Sequence, residues 1–168
     1  MTEINPYSSK AYFDDWTDCL DIDRVRLDAL LEESRKDERG RVRICLHRTE
    51  ADPIQEMIIA LAGHGYLRPH RQRGLQKSYV VLAGRLRVVF FDEEGKVLRR
   101  LDLDARDRPV ARFDSGVWHT MTSLSEGTLY LETILGPFDK GRTDWAPWAP
   151  GRSPRSEIDA YMRDVLRV

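Results

Sequence analysis

The chain has 168 residues, 27 Lys and Arg against 28 Asp and Glu, and two cysteines. That length suits one domain with a core of its own, and the balanced charge argues against a general nucleic-acid footprint, which needs a net basic face. Cys19 and Cys45 are too few for a disulfide framework, so reduced thiols in a cytoplasmic protein are expected. The N-terminus lacks the basic and apolar stretches of a secretory signal. The longest apolar run, Met57–Ala62, falls far short of the about 20 residues of a membrane span. Arginine outnumbers lysine by 22 to 5. Codon bias explains that skew; Arg forks aimed at anionic ligands are the other reading.

Residues 1–21 mix aromatics (Tyr7, Tyr12, Phe13, Trp16) with acids (Asp18, Asp21) without a period, and read as an arm or loop. From Asp23 to Glu38, Val25, Leu27, Leu30 and Leu31 recur among charges as on an amphipathic helix, with Asp21 or Asp23 as N-cap and Gly40 as the stop. Short runs rich in Val, Ile, Leu, Tyr and Phe follow. They predict strands over 41–47, 54–61, 65–72, 77–83, 85–91, 96–103, 109–113, 117–123 and 127–135, separated by Gly, Pro and Asp breaks. Ala83-Gly84 and Glu93-Glu94-Gly95 read as hairpin turns. Strands at this spacing imply an all-β sandwich or barrel. Residues 136–154, rich in Pro, Gly and Trp, are expected to pack on that body through Trp145 and Trp148. A last helix over about 154–166 shows one apolar face of Ile158, Tyr161, Met162 and Val165.

The residues with chemistry lie in Gly65–Gln72, Lys77–Gly84 and Asp114–Thr120. Strand alternation puts Tyr66, Arg68, His70 and Gln72 on one face, Lys77 and Tyr79 on another, and Val117, His119 and Met121 on a third. His70 and His119 on one interior would make two imidazoles meet, a natural start for a metal site. The other reading is two pocket histidines hydrogen-bonded to neighbours.

These motifs resemble those of the cupins, small jelly-roll (double-stranded β-helix) barrels. The first cupin motif falls on Gly65, His70, Gln72, Lys77 and Gly84, and the second on Gly116 and His119. More narrowly the chain resembles the WbuC-type cupin-fold metalloproteins, over roughly residues 40–150. The stretches that carry this include Ile44-Cys45-Leu46-His47, Asp52-Pro53-Ile54-Gln55, Trp118-His119-Thr120, Gly136-Pro137-Phe138 and Trp145–Pro150. The resemblance implies a single all-β cupin barrel over 40–138, preceded by an arm and helix (1–39). A Pro/Trp-rich segment and helix (139–168) would pack on the barrel. It also implies a homodimer and a setting in surface-polysaccharide biosynthesis.

The chain departs from the family's ligand set at two positions: Gln72 stands where a second His is usual, and Lys77 where a Glu is usual. His70, His119 and Gln72 remain as candidate ligands for a divalent zinc, nickel, iron or manganese ion. An ammonium, by contrast, repels a cation and offers it no lone pair. Lys77 can therefore replace the metal's charge and hold an anionic ligand, form an ion pair with a carboxylate such as Glu132, or stay solvated. Arg68, Tyr66, Tyr79, His47 and Gln55 complete the candidate pocket, and Arg71 should point away from it. Trp145 and Trp148 either stack on a sugar or pin their own segment. The expected function is a small-molecule-binding cupin for an anionic or sugar-like ligand, with no nucleic-acid or membrane partner. That expectation includes a bound metal ion and action on a sugar or sugar-nucleotide intermediate of surface-polysaccharide biosynthesis; the alternative is a metal-free cupin acting as a ligand-binding, sensing or scaffold protein.

Overall fold

The computed structural model describes residues 10–166; the first part of the expected arm, with Tyr7, lies outside them. Strand β1 (Lys10–Phe13) is followed by helix α1 (Arg24–Lys36) and strands β2 (Arg41–Cys45), β3 (Ile54–Ala62), β4 (His70–Gln72) and β5 (Gln76–Ala83). Next come β6 (Arg85–Phe91), β7 (Val97–Asp104), β8 (Val110–Asp114), β9 (Trp118–Ser123) and β10 (Gly127–Leu135). A 3-10 turn (Lys140–Arg142), β11 (Thr143–Trp145) and helix α2 (Arg155–Leu166) end the described chain.

The strands form two sheets. One has the order β1-β2-β3-β10-β5-β8 and the other β11-β4-β9-β6-β7. They face each other across a core in which Ile59, Leu61, Tyr79, Val81 and Tyr130 of the first meet Leu86, Val88, Leu103 and Met121 of the second. The expected single closed barrel is thus corrected to an open sandwich. Part of the reason lies at 65–69, where a strand was expected. Pro69 has no N–H for a ladder, and pairing on this stretch begins only at His70. A side chain stands in for the missing ladder, because the Thr120 hydroxyl donates to the Leu67 carbonyl at 2.5 Å.

Gly84, expected in a hairpin, instead turns the chain from the first sheet into the second. Its φ of 78° is open to glycine, and a Cβ there would lie 2.4 Å from the Gly127 carbonyl oxygen. The second expected hairpin forms between β6 and β7 at Gly95. Part of the expected arm is also a strand: β1 pairs in parallel with β2, and Tyr12 donates to Glu33 of α1 at 2.5 Å.

Both outer faces are covered. Asp23 caps α1 by accepting from the Arg26 N–H at 2.8 Å. Leu30 of that helix packs on Val42, Ile44, Ile58, Ala60 and Leu129 of the first sheet. Residues 146–149 and α2 cover the second sheet, where Ala146, Ala149 and Val165 meet Val89, Phe91 and Trp118. No helix among the described residues is long and apolar enough to cross a membrane.

Leu30 and Val25 sit on opposite faces of α1, one 4% and the other 77% exposed. Chemical denaturation should show Leu30→Ala costing about 2–5 kcal/mol, and Val25→Ala moving stability by no more than about 0.5 kcal/mol.

Candidate functional site

A cavity of about 310 Å³ opens between the sheets, bounded by inner faces of β2, β3, β10 and β5 on one side and of β4 and β11 on the other. Strand register explains who lines it. Arg43 pairs with Ile59, Ile59 with Tyr130, Met57 with Glu132 and Ile134 with Lys77, so these side chains share the inner face of the first sheet. Opposite them, His70 is the register partner of both His119 on β9 and Trp145 on β11.

His70 and His119 lie with ring centroids 4.5 Å apart. The Nδ1 of His70 lies 3.2 Å from the Arg68 carbonyl, and that of His119 lies 2.8 Å from the Val117 carbonyl. A carbonyl only accepts, so each Nδ1 carries the proton and each Nε2 a lone pair. The Lys77 Nζ donates to the His70 Nε2 at 3.4 Å and lies 3.6 Å from Glu132 Oε1. The His119 Nε2 is buried with no hydrogen-bond partner among the described residues, as is the Gln72 Oε1. The other end of the Gln72 amide donates to Thr143 at 3.2 Å.

Burial, the neighbouring His119 and the Lys77 charge hold His70 well below the usual imidazole range. Burial and Lys77 push His119 down to about 3. Both rings are therefore neutral at physiological pH. Burial also pulls Lys77 below its ordinary value, while the Glu132 carboxylate works the other way and favours the ammonium.

The structure brings His70, Gln72, Lys77, Gln55 and Glu132 to this cavity. Gln55 also ties down the preceding loop, its amide donating to the Thr49, Glu50 and Asp52 carbonyls at 3.2, 3.4 and 2.9 Å. His119 stands behind His70, against Phe113. Tyr79 is fully buried in the core against Phe113 and Tyr130.

Tyr66 and Arg68 lie elsewhere. Alternation does not hold across the unpaired segment before His70, so both turn toward the C-terminal segment. Tyr66 donates to the Pro150 carbonyl at 2.8 Å, and Arg68 donates to the Ala146 carbonyl at 2.6 and 2.9 Å. His47 is turned away as well; it packs on Phe13 and bonds the Glu56 backbone. Arg71 faces outward, paired with Glu93 and Asp144 and stacked on Trp118. The two tryptophans separate: Trp148 is packed on Phe91 and Trp118, while Trp145 lines the cavity 5.4 Å from the His70 ring.

Sequence reasoning passed over Arg41 and Arg43, which also line the cavity. In Arg41-Val42-Arg43-Ile44-Cys45 the alternation reads as a solvated Arg face over a buried Val/Ile face. Val42 and Ile44 do face α1. No local signal marks the inner face, because β4 and β11, which lie across the cavity from it, come from far along the chain.

A family model described as a domain of unknown function (DUF6016) matches residues 22–103. No curated protein sequence matches the chain. Among solved structures, the capsular polysaccharide assembling protein CapF from Staphylococcus aureus aligns with a TM-score of 0.54 at 14% identity, covering 65% of this chain and 32% of that one. A CapF structure with the inhibitor 3-isopropenyl-tropolone aligns at 0.50 and 13% identity, covering 56% and 28%. An oxalate decarboxylase from Bacillus subtilis aligns at 0.47 and 22%, covering 56% and 24%. This chain thus spans a third or less of the length of each of these proteins. The likeness is one of fold, and that fold is the cupin fold.

The donor set does not fit a divalent metal ion. Among the described residues no group of three His, Cys, Asp or Glu side chains converges on a point. The His70 lone pair is met by an ammonium, which would repel a cation at that position.

The buried imidazoles make stability depend on pH. In the unfolded chain a histidine takes up a proton near 6.5, whereas His119 in the fold resists until about 3. The unfolded state binds more protons between these values, so the contribution is complete above about 6.5 and is lost as pH falls toward 3. Urea midpoints should drop across that interval, and His119→Gln should flatten the drop.

Proposed function

We propose that the chain is a cupin-fold small-molecule-binding protein whose cavity takes a small anionic, sugar-like ligand without a metal ion. The observation that carries this reading is the Lys77 ammonium, 3.4 Å from the His70 Nε2 and 3.6 Å from Glu132. A positive charge already stands where a metal would meet the His70 lone pair. The wall around it adds to the charge: Arg41, Arg43, Lys77 and Lys140 line the cavity against only Glu50 and Glu132. At about 310 Å³ the space is of the size of small-ligand pockets.

The capsular polysaccharide proteins among the structural neighbours, together with the WbuC-type resemblance, make acidic sugars and sugar phosphates of surface-polysaccharide synthesis the first ligands to test. A cytoplasmic setting and a homodimer belong to the same reading.

Metal content, measured by mass spectrometry on tag-free protein purified without chelator, tests the metal-free reading. Substoichiometric metal is expected, unchanged in a His70→Ala/His119→Ala variant and after loading with zinc, nickel, iron or manganese. Stoichiometric metal that the double variant loses would overturn it. Light scattering tests the homodimer, and a monomer mass removes it.

A further inference from the structure

Arg41 and Arg43 stand two residues apart on β2, so both project from its inner face into the cavity. Arg41 is 8% exposed. Among the described residues its guanidinium makes no hydrogen bond and no ion pair; Glu132 and Tyr130 act on it only through space. The Arg43 Nε is also buried without a hydrogen-bond partner. Several other guanidiniums are paired, Arg87 with Asp102, Arg39 with Asp37, and Arg71 with Glu93 and Asp144.

The buried carboxylate of the cavity, Glu132, lies against Lys77. Two guanidiniums are left facing the space without a carboxylate of their own. Burial lowers Arg41 to about 10, so it stays charged at physiological pH. A buried charge without a partner destabilises the fold until a counter-ion meets it.

We propose that Arg41 and Arg43 form the anion subsite of this cavity and that its ligand carries a phosphate monoester. The inference rests on the cavity being a ligand site, and it places the ligand's charged end on β2 rather than at the histidines. Charge decides for phosphate. A phosphomonoester carries about −1.5 to −2 near neutral pH, enough for both guanidiniums, and it offers three acceptor oxygens to two planar forks. A single carboxylate would leave one fork unmatched. Trp145, Phe138, Met57 and Ile134 supply an apolar wall for the body of the ligand.

Calorimetry and thermal unfolding with inorganic phosphate, glucose 1-phosphate and glucuronate test this on the full chain. Inorganic phosphate and glucose 1-phosphate are expected to raise the unfolding temperature and to compete with each other, with glucuronate weaker. Arg41→Leu should raise the unfolding temperature of the ligand-free protein by removing an unpaired buried charge, and should abolish the increment from phosphate. Arg41→Lys, which keeps the charge but loses the fork, should weaken phosphate binding about tenfold or more.

A phosphate increment left intact in Arg41→Leu, or an unchanged affinity in Arg41→Lys, would overturn the subsite. If glucuronate bound in a way that depends on Lys77 (tested with Lys77→Met) but not on Arg41, the subsite would fall while the ligand cavity stood. If none of the three probes bound, both would fall.

Discussion

Burying an ammonium between two β-sheets is costly unless lone pairs and anions meet it. Lys77, 3% exposed on β5, meets both: the His70 lone pair from the opposite sheet and the Glu132 carboxylate from the neighbouring strand. That contact depends on the His70 tautomer, which the Arg68 carbonyl fixes by accepting from Nδ1. It also depends on the register of β5 against β10, which puts Lys77 opposite Ile134 and Tyr79 opposite Glu132. A slip of one residue would turn Lys77 to the outer face. The polar centre and the strand pairing therefore hold each other in place.

Around this centre the sandwich separates its tasks. The apolar half of the inter-sheet space, with Leu86, Val88 and Met121, is packed core. The other half, beneath β4 and β11, is left open as the cavity. Short pairing explains the opening, since β4 contributes three ladder residues and β11 another three. The C-terminal segment then closes the second sheet from outside. Arg68 and Tyr66 hold it through backbone carbonyls, and Trp148 lies over Gly95, where any side chain would strike the indole.

Much of this was legible in the residues. The runs after Gly40 predicted strands near their observed places, and the helix starting after Asp23 has that residue as its cap. Spacing within Gly65–Gln72 and Asp114–Thr120 singled out His70 and His119, which the structure brings together as register partners. The same alternation misplaced Tyr66 and Arg68, because a period of two holds only while a strand is paired, and pairing starts after Pro69. It also took Ala83-Gly84 for a hairpin, since a local turn signal does not say which sheet the next strand will join.

By itself the sequence determined the β-rich class, the flanking helices and the pairing of His70 and His119 with a Gln at position 72 and a Lys at position 77, because period, caps and residue chemistry are local properties. Tertiary structure decided the rest. Strand pairing left the sandwich open, brought Lys77 against His70 and turned Arg41 and Arg43 inward. Whether an arginine faces water or a cavity depends on what covers its strand from the other side, and that cover comes from residues far away in the chain.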